Sequence, residues 1–456
     1  MEGTARIAYD RGTVVIEVDR RLDLPGAVWD ERVGAHRAPA LRYREIQGAL
    51  GRAGYQVIGD VLASDEAAGP WAAIDLRPYQ EAAVDAWELQ GRRGIIVLPT
   101  GSGKTRVALA VMARTRMRTL CLVPTRVLLE QWTSEIAARF TGAVGCFGDG
   151  RQELAPVTVA TFESAYRHMD QLGNRFDMLV VDEVHHFGAG IRDEALEMSA
   201  AAARLGMTAT PASGDTARRL AELVGPCAFE LAIGDLAGTF LASFDLVTLR
   251  LQLDAEERAL YARYREQFLS VQLEFRRNVP GGDWSQFVAM ASRTEVGRAA
   301  LAAWRASQRI TTFPAAKRCA VASLLARHRG SRVLIFTADN ETAYAIAREH
   351  LVTPLTCDID RRERRAVLDA FRDGHIRALV SARVLNEGID VPDADLAIIV
   401  AGTQGEREHV QRVGRLLRPR AGKRALVYEL VCSGTFETRL AKRRQKALAP
   451  QKSAPL

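Results

Sequence analysis

Leu98-Pro99-Thr100-Gly101-Ser102-Gly103-Lys104-Thr105 follows the apolar run Gly94-Ile95-Ile96-Val97 and precedes a helical stretch over residues 106–113. Strand, glycine loop and helix together are what a phosphate cradle requires. The glycines let backbone N–H groups approach phosphate oxygens, and the helix behind adds its positive end. Thr100, Gly101, Ser102 and Gly103 are candidate contacts to nucleotide phosphates. Lys104 can reach the β- and γ-phosphates, and the Thr105 hydroxyl can sit on Mg²⁺. The chain has six lysines among 62 basic residues, and Lys104 is the only one before Lys317. A composition that uses arginine almost everywhere keeps a compact point charge here, where a planar fork would differ in chemistry.

A second candidate group, Val180-Val181-Asp182-Glu183-Val184-His185-His186, ends an apolar strand pattern 78 residues after Lys104. Asp182 can hold Mg²⁺, directly or through water, and Glu183 can orient and polarise an attacking water. His185 is a candidate link from the nucleotide site to Thr208-Ala209-Thr210. About twenty residues before the loop stands Leu76-Arg77-Pro78-Tyr79-Gln80. Arg77 and Gln80 are candidate nucleotide contacts there, because the Gln80 amide offers the donor and acceptor that an adenine edge needs. In the second half, Asn386-Glu387-Gly388-Ile389-Asp390-Val391-Pro392 allows close approach at Gly388 and a ribose or arginine contact at Asp390. In Gln411-Arg412-Val413-Gly414-Arg415-Leu416-Leu417-Arg418, the two arginines three apart share a helix face. Delivered across a cleft, Arg415 and Arg418 would neutralise charge developing on the γ-phosphate.

These groups need elements to position them. From residue 71 to about 235, short apolar strands alternate with helices: 119–123, 157–160, 178–181 and 205–207 read as strands, and 126–140 reads as a helix. Alternation of this kind implies an α/β fold with a parallel sheet, and ligands in such sheets sit at the carboxyl ends of the strands. A second alternating pattern runs from about 315 to 431, with strands at 332–336, 378–381, 396–400 and 425–428. Between the two, residues 256–277 and 284–310 read as a helical hairpin broken at Asn278-Val279-Pro280-Gly281-Gly282. Its stripe of Leu260, Tyr264, Phe268, Val271 and Phe275 reads as hairpin core. Residues 1–70 read as a small α+β unit, with strands at 13–18 and 55–58 and a helix at 41–50. Ala67-Ala68-Gly69-Pro70 reads as a linker, and the last fifteen residues read as frayed.

The chain has 456 residues and a net charge of +7. Residues 1–75 hold nine basic and twelve acidic residues, whereas 407–446 hold twelve basic and three acidic. The C-terminal segment thus carries more than the whole excess, which points to a polyanion partner. Six scattered cysteines without a CxxC pair argue against a zinc site or disulfide framework and fit a reducing cytoplasm. No signal peptide is visible, and no apolar run approaches the ~20 residues that span a bilayer, so no membrane partner is expected.

With these motifs in this order, the chain resembles superfamily 2 helicases, and among them the XPB family in its short archaeal and bacterial form. The resemblance covers about residues 71–446 and also rests on Val123-Pro124-Thr125-Arg126, Thr208-Ala209-Thr210-Pro211, Leu334-Ile335-Phe336-Thr337 and Ser433-Gly434-Thr435. It implies two RecA-like domains, over 71–235 and 236–456, with a thumb-like helical insertion at about 254–311. By the same resemblance, residues 1–70 occupy the place of that family's damage-recognition-like domain. It implies ATP and Mg²⁺ in a split site, with Gln411, Gly388 and Asp390 among the ATP contacts and Arg415 and Arg418 crossing from the second domain. It implies 3′→5′ movement on single-stranded, duplex or forked DNA in DNA repair, coupled through Arg126, Thr208, Thr210 and Asp215, with a nuclease partner. Where that family carries Arg-Glu-Asp after Thr-Ala-Thr-Pro, this chain reads Ser213-Gly214-Asp215. That departure leaves open a duplex translocase that remodels without unwinding. A nucleotide-gated DNA-binding scaffold and an RNA helicase stay open as well.

Overall fold

The structure is a computed structural model. It describes residues 3–59, 61–62, 69–190, 192–232, 235, 243–382, 394–401 and 424–448. The chain divides into two compact units, residues 1–232 and 233–456.

The first unit opens with a small sheet of β1 (Gly3–Asp10), β2 (Thr13–Glu17), β3 (Val28–Asp30), β4 (Ala35–Pro39) and β5 (Tyr55–Ile58), backed by α1 (Tyr43–Arg52). Its order is β3-β4-β2-β1-β5, antiparallel except for the β1–β5 pair. Alternating Ile7, Val14 and Ile16 meet Ile46 and Leu50 of the helix, a half-buried sheet with one apolar face. Ala200, from the connection between α6 and β12 of the larger sheet's layer, completes this core. The Tyr9 hydroxyl lies 3.0 Å from the Met169 carbonyl and 3.1 Å from that of Met198. The small sheet is therefore a packed part of the first unit.

The larger sheet begins with α2 (Pro78–Leu89), β6 (Arg93–Val97), α3 (Lys104–Thr115), β7 (Thr119–Val123) and α4 (Arg126–Ala137). It continues through β8 (Val144–Gly148), β9 (Arg151–Glu153), β10 (Val157–Thr161), α5 (Phe162–Leu172) and β11 (Met178–Val181). It ends with α6 (Asp193–Glu197), β12 (Ala203–Thr208), α7 (Gly214–Leu223) and β13 (Cys227–Glu230). The strand order is β13-β6-β12-β11-β7-β10-β8-β9, parallel except for the β8–β9 hairpin. Every residue of β7, β10, β11 and β12 is buried. Helices on both faces produce this, and they explain the uninterrupted apolar runs. Arg204 on β12 is fully buried and, among the described residues, makes no ion pair. Its guanidinium donates to the carbonyls of Leu196, Ser199, Ala201 and Leu223, which ties the ends of α6 and α7 to the sheet.

The second unit runs β14 (Ser243–Leu251), α8 (Ala255–Asn278), α9 (Trp284–Ala291), α10 (Glu295–Thr312), α11 (Ala315–Arg327), β15 (Val333–Phe336) and α12 (Asn340–His350). It then runs β16 (Thr353–Leu355), α13 (Arg361–Arg372), β17 (Ala378–Ser381), β18 (Leu396–Ile399), β19 (Arg424–Cys432) and α14 (Phe436–Leu448). Its sheet, β14-β19-β18-β15-β17-β16, is parallel throughout. Asp254 and Glu257 form a reciprocal capping box that starts α8. Phe268 and Phe275 pack on Phe287 at 5.8 and 5.3 Å, so Phe268, Val271 and Phe275 of the stripe are hairpin core, whereas Leu260 and Tyr264 are half-buried outside that cluster. Tyr261 rather than Tyr264 is the buried tyrosine, and its hydroxyl accepts from the Phe436 N–H. Of the last fifteen residues, expected to fray, 442–448 are helical and 449–456 lie outside the described residues.

Buried charges dock α14. Lys317 on α11 is fully buried and donates to Glu437 Oε1 at 2.8 Å, while Glu437 Oε2 accepts from the Cys432 N–H. Arg444 donates to the fully buried Glu429 at 2.7 Å. Removing one member leaves its partner charged and unsolvated. Lys317→Ala is expected to cost about 3–5 kcal/mol, while Lys317→Met with Glu437→Leu costs far less. Urea unfolding midpoints of the two variants check this.

Candidate nucleotide site

The register of the first unit's sheet brings the motifs together. Val97 of β6 stands beside Thr208 of β12, and Gly206 of β12 stands beside Val181 of β11. The glycine loop after β6, the Thr-Ala-Thr turn after β12 and the acid pair after β11 therefore leave three consecutive strands on one edge. Arg126, after β7, leaves the fourth.

The loop is held from within. Leu98 N–H donates to the Thr208 carbonyl at 3.0 Å, and Ser102 Oγ donates to the Pro99 carbonyl at 2.6 Å. Gly103, at φ 84°, caps α3 in the left-handed region, and a Cβ there would lie 2.6 Å from Gln80 Nε2. Gln80 is 2% exposed; its Nε2 donates to the Ser102 carbonyl at 2.7 Å and its Oε1 accepts from the Arg77 N–H at 2.9 Å. One face of the amide assigned to adenine thus braces the loop. Tyr79 OH donates to the same Ser102 carbonyl at 2.7 Å. Sequence reading missed that brace, because a tyrosine at a helix start carries no mark of it. Lys104 Nζ lies 3.3 Å from the Leu98 carbonyl, folded back over its own loop.

Asp182 is 7% exposed. Its Oδ1 accepts from the Glu183 N–H and its Oδ2 from the Trp132 indole Nε1–H, both at 3.0 Å. Burial, then the neighbouring Glu183 charge, pushes its carboxyl up to about 6. Burial also pushes Glu183 upward, but its contact with His185 and the Lys104 charge outweigh that and bring it down to about 2. Glu183 has a left-handed backbone, φ 51°, which is strain at a non-glycine residue. Glu183 Oε2 is a buried acceptor without a hydrogen bond, 3.3 Å from His185 Nδ1. The same Nδ1 lies 3.1 Å from Thr208 Oγ1, and Thr208 Oγ1 contacts the Thr210 carbonyl and N–H at 3.1 and 3.3 Å. A chain of polar contacts thus runs from the acid pair into the Thr-Ala-Thr turn.

Arg126 pairs with Asp149 at 2.8 Å and remains 73% exposed. It lines a cleft of about 350 Å³ with Arg151, Arg167 and His168. Asp215 is exposed in the first turn of α7, paired with Arg218. Gly388, Asp390, Gln411, Arg415 and Arg418 lie outside the described residues. On α14, Arg439, Lys442 and Arg443 are exposed, whereas Glu437, the only acid of that helix, is buried. Among the described residues no group of three or more metal-ligating side chains clusters, and no helix is long and apolar enough to cross a membrane.

An anion-cradling loop and a strand-end acid pair on one parallel sheet, followed by a second parallel sheet with a helical insertion, define a helicase of superfamily 2. Residues 73–213 match the family model described as type III restriction enzyme, res subunit. Residues 316–420 match the helicase conserved C-terminal domain, and residues 7–61 the xeroderma pigmentosum group B helicase damage recognition domain. The chain is 36% identical over 426 residues to the DNA 3′-5′ translocase XPB2 of Sulfurisphaera tokodaii, covering 92% of this chain and 96% of that one. It is 31% and 30% identical to the DNA 3′-5′ helicases XPB of Kineococcus radiotolerans and Mycobacterium tuberculosis, covering 88% and 82% of this chain. It spans only 66% and 64% of those two relatives. The Hef helicase domain of Pyrococcus furiosus shares the fold, with a TM-score of 0.53 at 17% identity over 81% of this chain and 98% of that one. The chain belongs to the XPB family.

Proposed function

We propose that this protein is an ATP-dependent DNA translocase or helicase that moves 3′→5′ and serves DNA repair in the cytoplasm. The observation that carries this reading is the juxtaposition of the glycine loop, Asp182-Glu183 and the His185–Thr208 contact on adjacent strand ends of a sheet whose relatives are named for movement on DNA. The loop N–H groups and Lys104 bind the β- and γ-phosphates of ATP, with Arg77 and Gln80 at the base end. Thr105 and Asp182 would hold Mg²⁺, which when bound screens charge on the transferring phosphate. The residues fit such an ion: among the described residues each Asp182 oxygen accepts one hydrogen bond and keeps a lone pair beyond it. Glu183 orients the attacking water, and its buried Oε2, which makes no hydrogen bond among the described residues and has His185 Nδ1 at 3.3 Å, supports that role. Arg415 and Arg418 supply positive charge to the γ-phosphate from the second domain, where Gly388, Asp390 and Gln411 complete the nucleotide contacts.

Movement follows from linkage. If ATP and its products favour different arrangements of the two domains, DNA contacts that differ between them alternate with the cycle. Arg126, Thr208, Thr210 and Asp215 are the proposed coupling residues. The cationic face of α14 supports a sequence-independent phosphate contact, so binding falls steeply with salt. No motif in the chain supplies nuclease chemistry, and we include a partner nuclease in the proposal. Comparing stimulation of ATP hydrolysis by single-stranded DNA, duplex DNA and RNA tests the reading. Stimulation by DNA at least several-fold above RNA is expected, and stimulation by RNA alone would refute it.

A second reading, duplex translocation without unwinding, is favoured by Ser213-Gly214, which replaces an arginine and a glutamate of the family element with no charge. Triplex displacement without forked-duplex unwinding would select it.

A further inference from the structure

Trp132 is unusual among the buried tryptophans for what its N–H touches. Trp87, fully buried, donates to a backbone carbonyl, that of Arg204, at 2.9 Å. Trp132, 1% exposed, donates at 3.0 Å to a carboxylate oxygen of Asp182, fifty residues away in sequence. A buried carboxylate with one fixed donor on each oxygen cannot rotate without losing a hydrogen bond, and a lost buried hydrogen bond is costly. The other donor, the Glu183 N–H, belongs to a residue in strained left-handed backbone. The indole is therefore the side-chain contact that fixes the carboxylate plane. It does so from α4, a different element from the strand that the acid follows.

We infer that Trp132 is a positioning residue for Asp182: its indole N–H sets the orientation in which the carboxylate receives Mg²⁺. The inference rests on the assignment of Asp182 to the metal made above. Groups that orient a metal ligand from outside its coordination sphere alter metal affinity by about 10–100-fold when removed. Trp132→Phe keeps most of the ring volume and deletes the donor.

The test reads binding rather than turnover. A fluorescent ATP analogue is titrated with Mg²⁺ in wild type, Trp132→Phe, Trp87→Phe and Asp182→Asn. Trp132→Phe should raise the Mg²⁺ midpoint about tenfold or more and leave binding in EDTA unchanged. Trp87→Phe, which loses an equally buried N–H bond, should keep the wild-type midpoint. In an Asp182→Asn background, Trp132→Phe should add no further shift, because the two act through one contact. Coincident midpoints for Trp132→Phe and Trp87→Phe would overturn the inference while leaving Asp182 at the metal. An Asp182→Asn midpoint equal to wild type would overturn the metal assignment itself, and the inference with it. Should Trp132→Phe fail to fold, wild type labelled with ¹⁵N-tryptophan decides the matter. One of six indole signals must shift with Mg²⁺ and nucleotide and be displaced in Asp182→Asn, and stationary signals refute the proposal.

Discussion

Replacing Lys104 by alanine is expected to lower DNA-stimulated ATP hydrolysis by about a thousandfold, with folding intact. Removing a single well-placed donor from a site of developing negative charge costs about 10²–10³ in rate, and here the donor also carries a full charge. The fold should tolerate the change: Lys104 Nζ makes one contact of 3.3 Å, to the Leu98 carbonyl of its own loop, and the loop is held by Ser102, Gln80 and Tyr79 instead. Lys104 is also one of the positive charges that lower both Asp182 and Glu183. Its loss should therefore weaken nucleotide binding and raise both acids, whereas an arginine at 104 would restore charge but not the compact geometry. Steady-state hydrolysis with saturating single-stranded DNA, beside the melting temperature of each variant, measures this. A variant within tenfold of wild type would mean that the loop does not hold the reacting phosphates.

Most of what positions Lys104 was legible in the chain. The strands at 119–123, 178–181 and 378–381 coincide with β7, β11 and β17, because strands buried on both faces must be written as continuous apolar runs. The sequence pattern failed where glycines or exposed polar residues break it. β8 and β9 were missed because Gly145, Gly148, Asp149 and Gly150 interrupt the pattern and all three residues of β9 are exposed. β1 was missed because Gly3, Thr4 and Arg6 dilute its alternation. The site was legible wherever one stretch of chain carries its chemistry. It was illegible where chemistry comes from packing: Trp132 reads as an ordinary core residue of an amphipathic helix, and only the fold puts its N–H on Asp182. Gln80 shows the converse, since its donor and acceptor were recognised but part of each is spent on the loop and the helix start.

Glu183→Gln should separate binding from hydrolysis. Glutamine keeps the size of the side chain but cannot act as a base, and removing general-base help costs about 10²–10⁴ in rate. Lys104, Thr105 and Asp182 are untouched, so ATP affinity should stay within a fewfold of wild type. An enzyme that binds ATP but cannot discharge it dwells in the ATP-bound arrangement, so its hold on DNA in the presence of ATP should be prolonged. Stability moves in a predictable direction too. The folded Glu183 carboxyl is brought from 4.5 down to about 2, with burial opposing and His185 and Lys104 prevailing. A group lowered in this way stabilises the fold fully above pH 4.5 and ceases to do so as pH falls toward 2. Loss of the Glu183 charge also relieves Asp182, so the comparison is made in an Asp182→Asn background. There the glutamine variant gives up only the Glu183 contribution, its urea midpoint at pH 7 should lie below that of Asp182→Asn alone, and the gap should narrow at pH 4. Single-turnover hydrolysis, nucleotide titration and DNA dissociation with ATP present measure the three effects. Lost nucleotide binding would recast Glu183 as a structural partner of His185, whereas unimpaired turnover would move the water-orienting role to another residue.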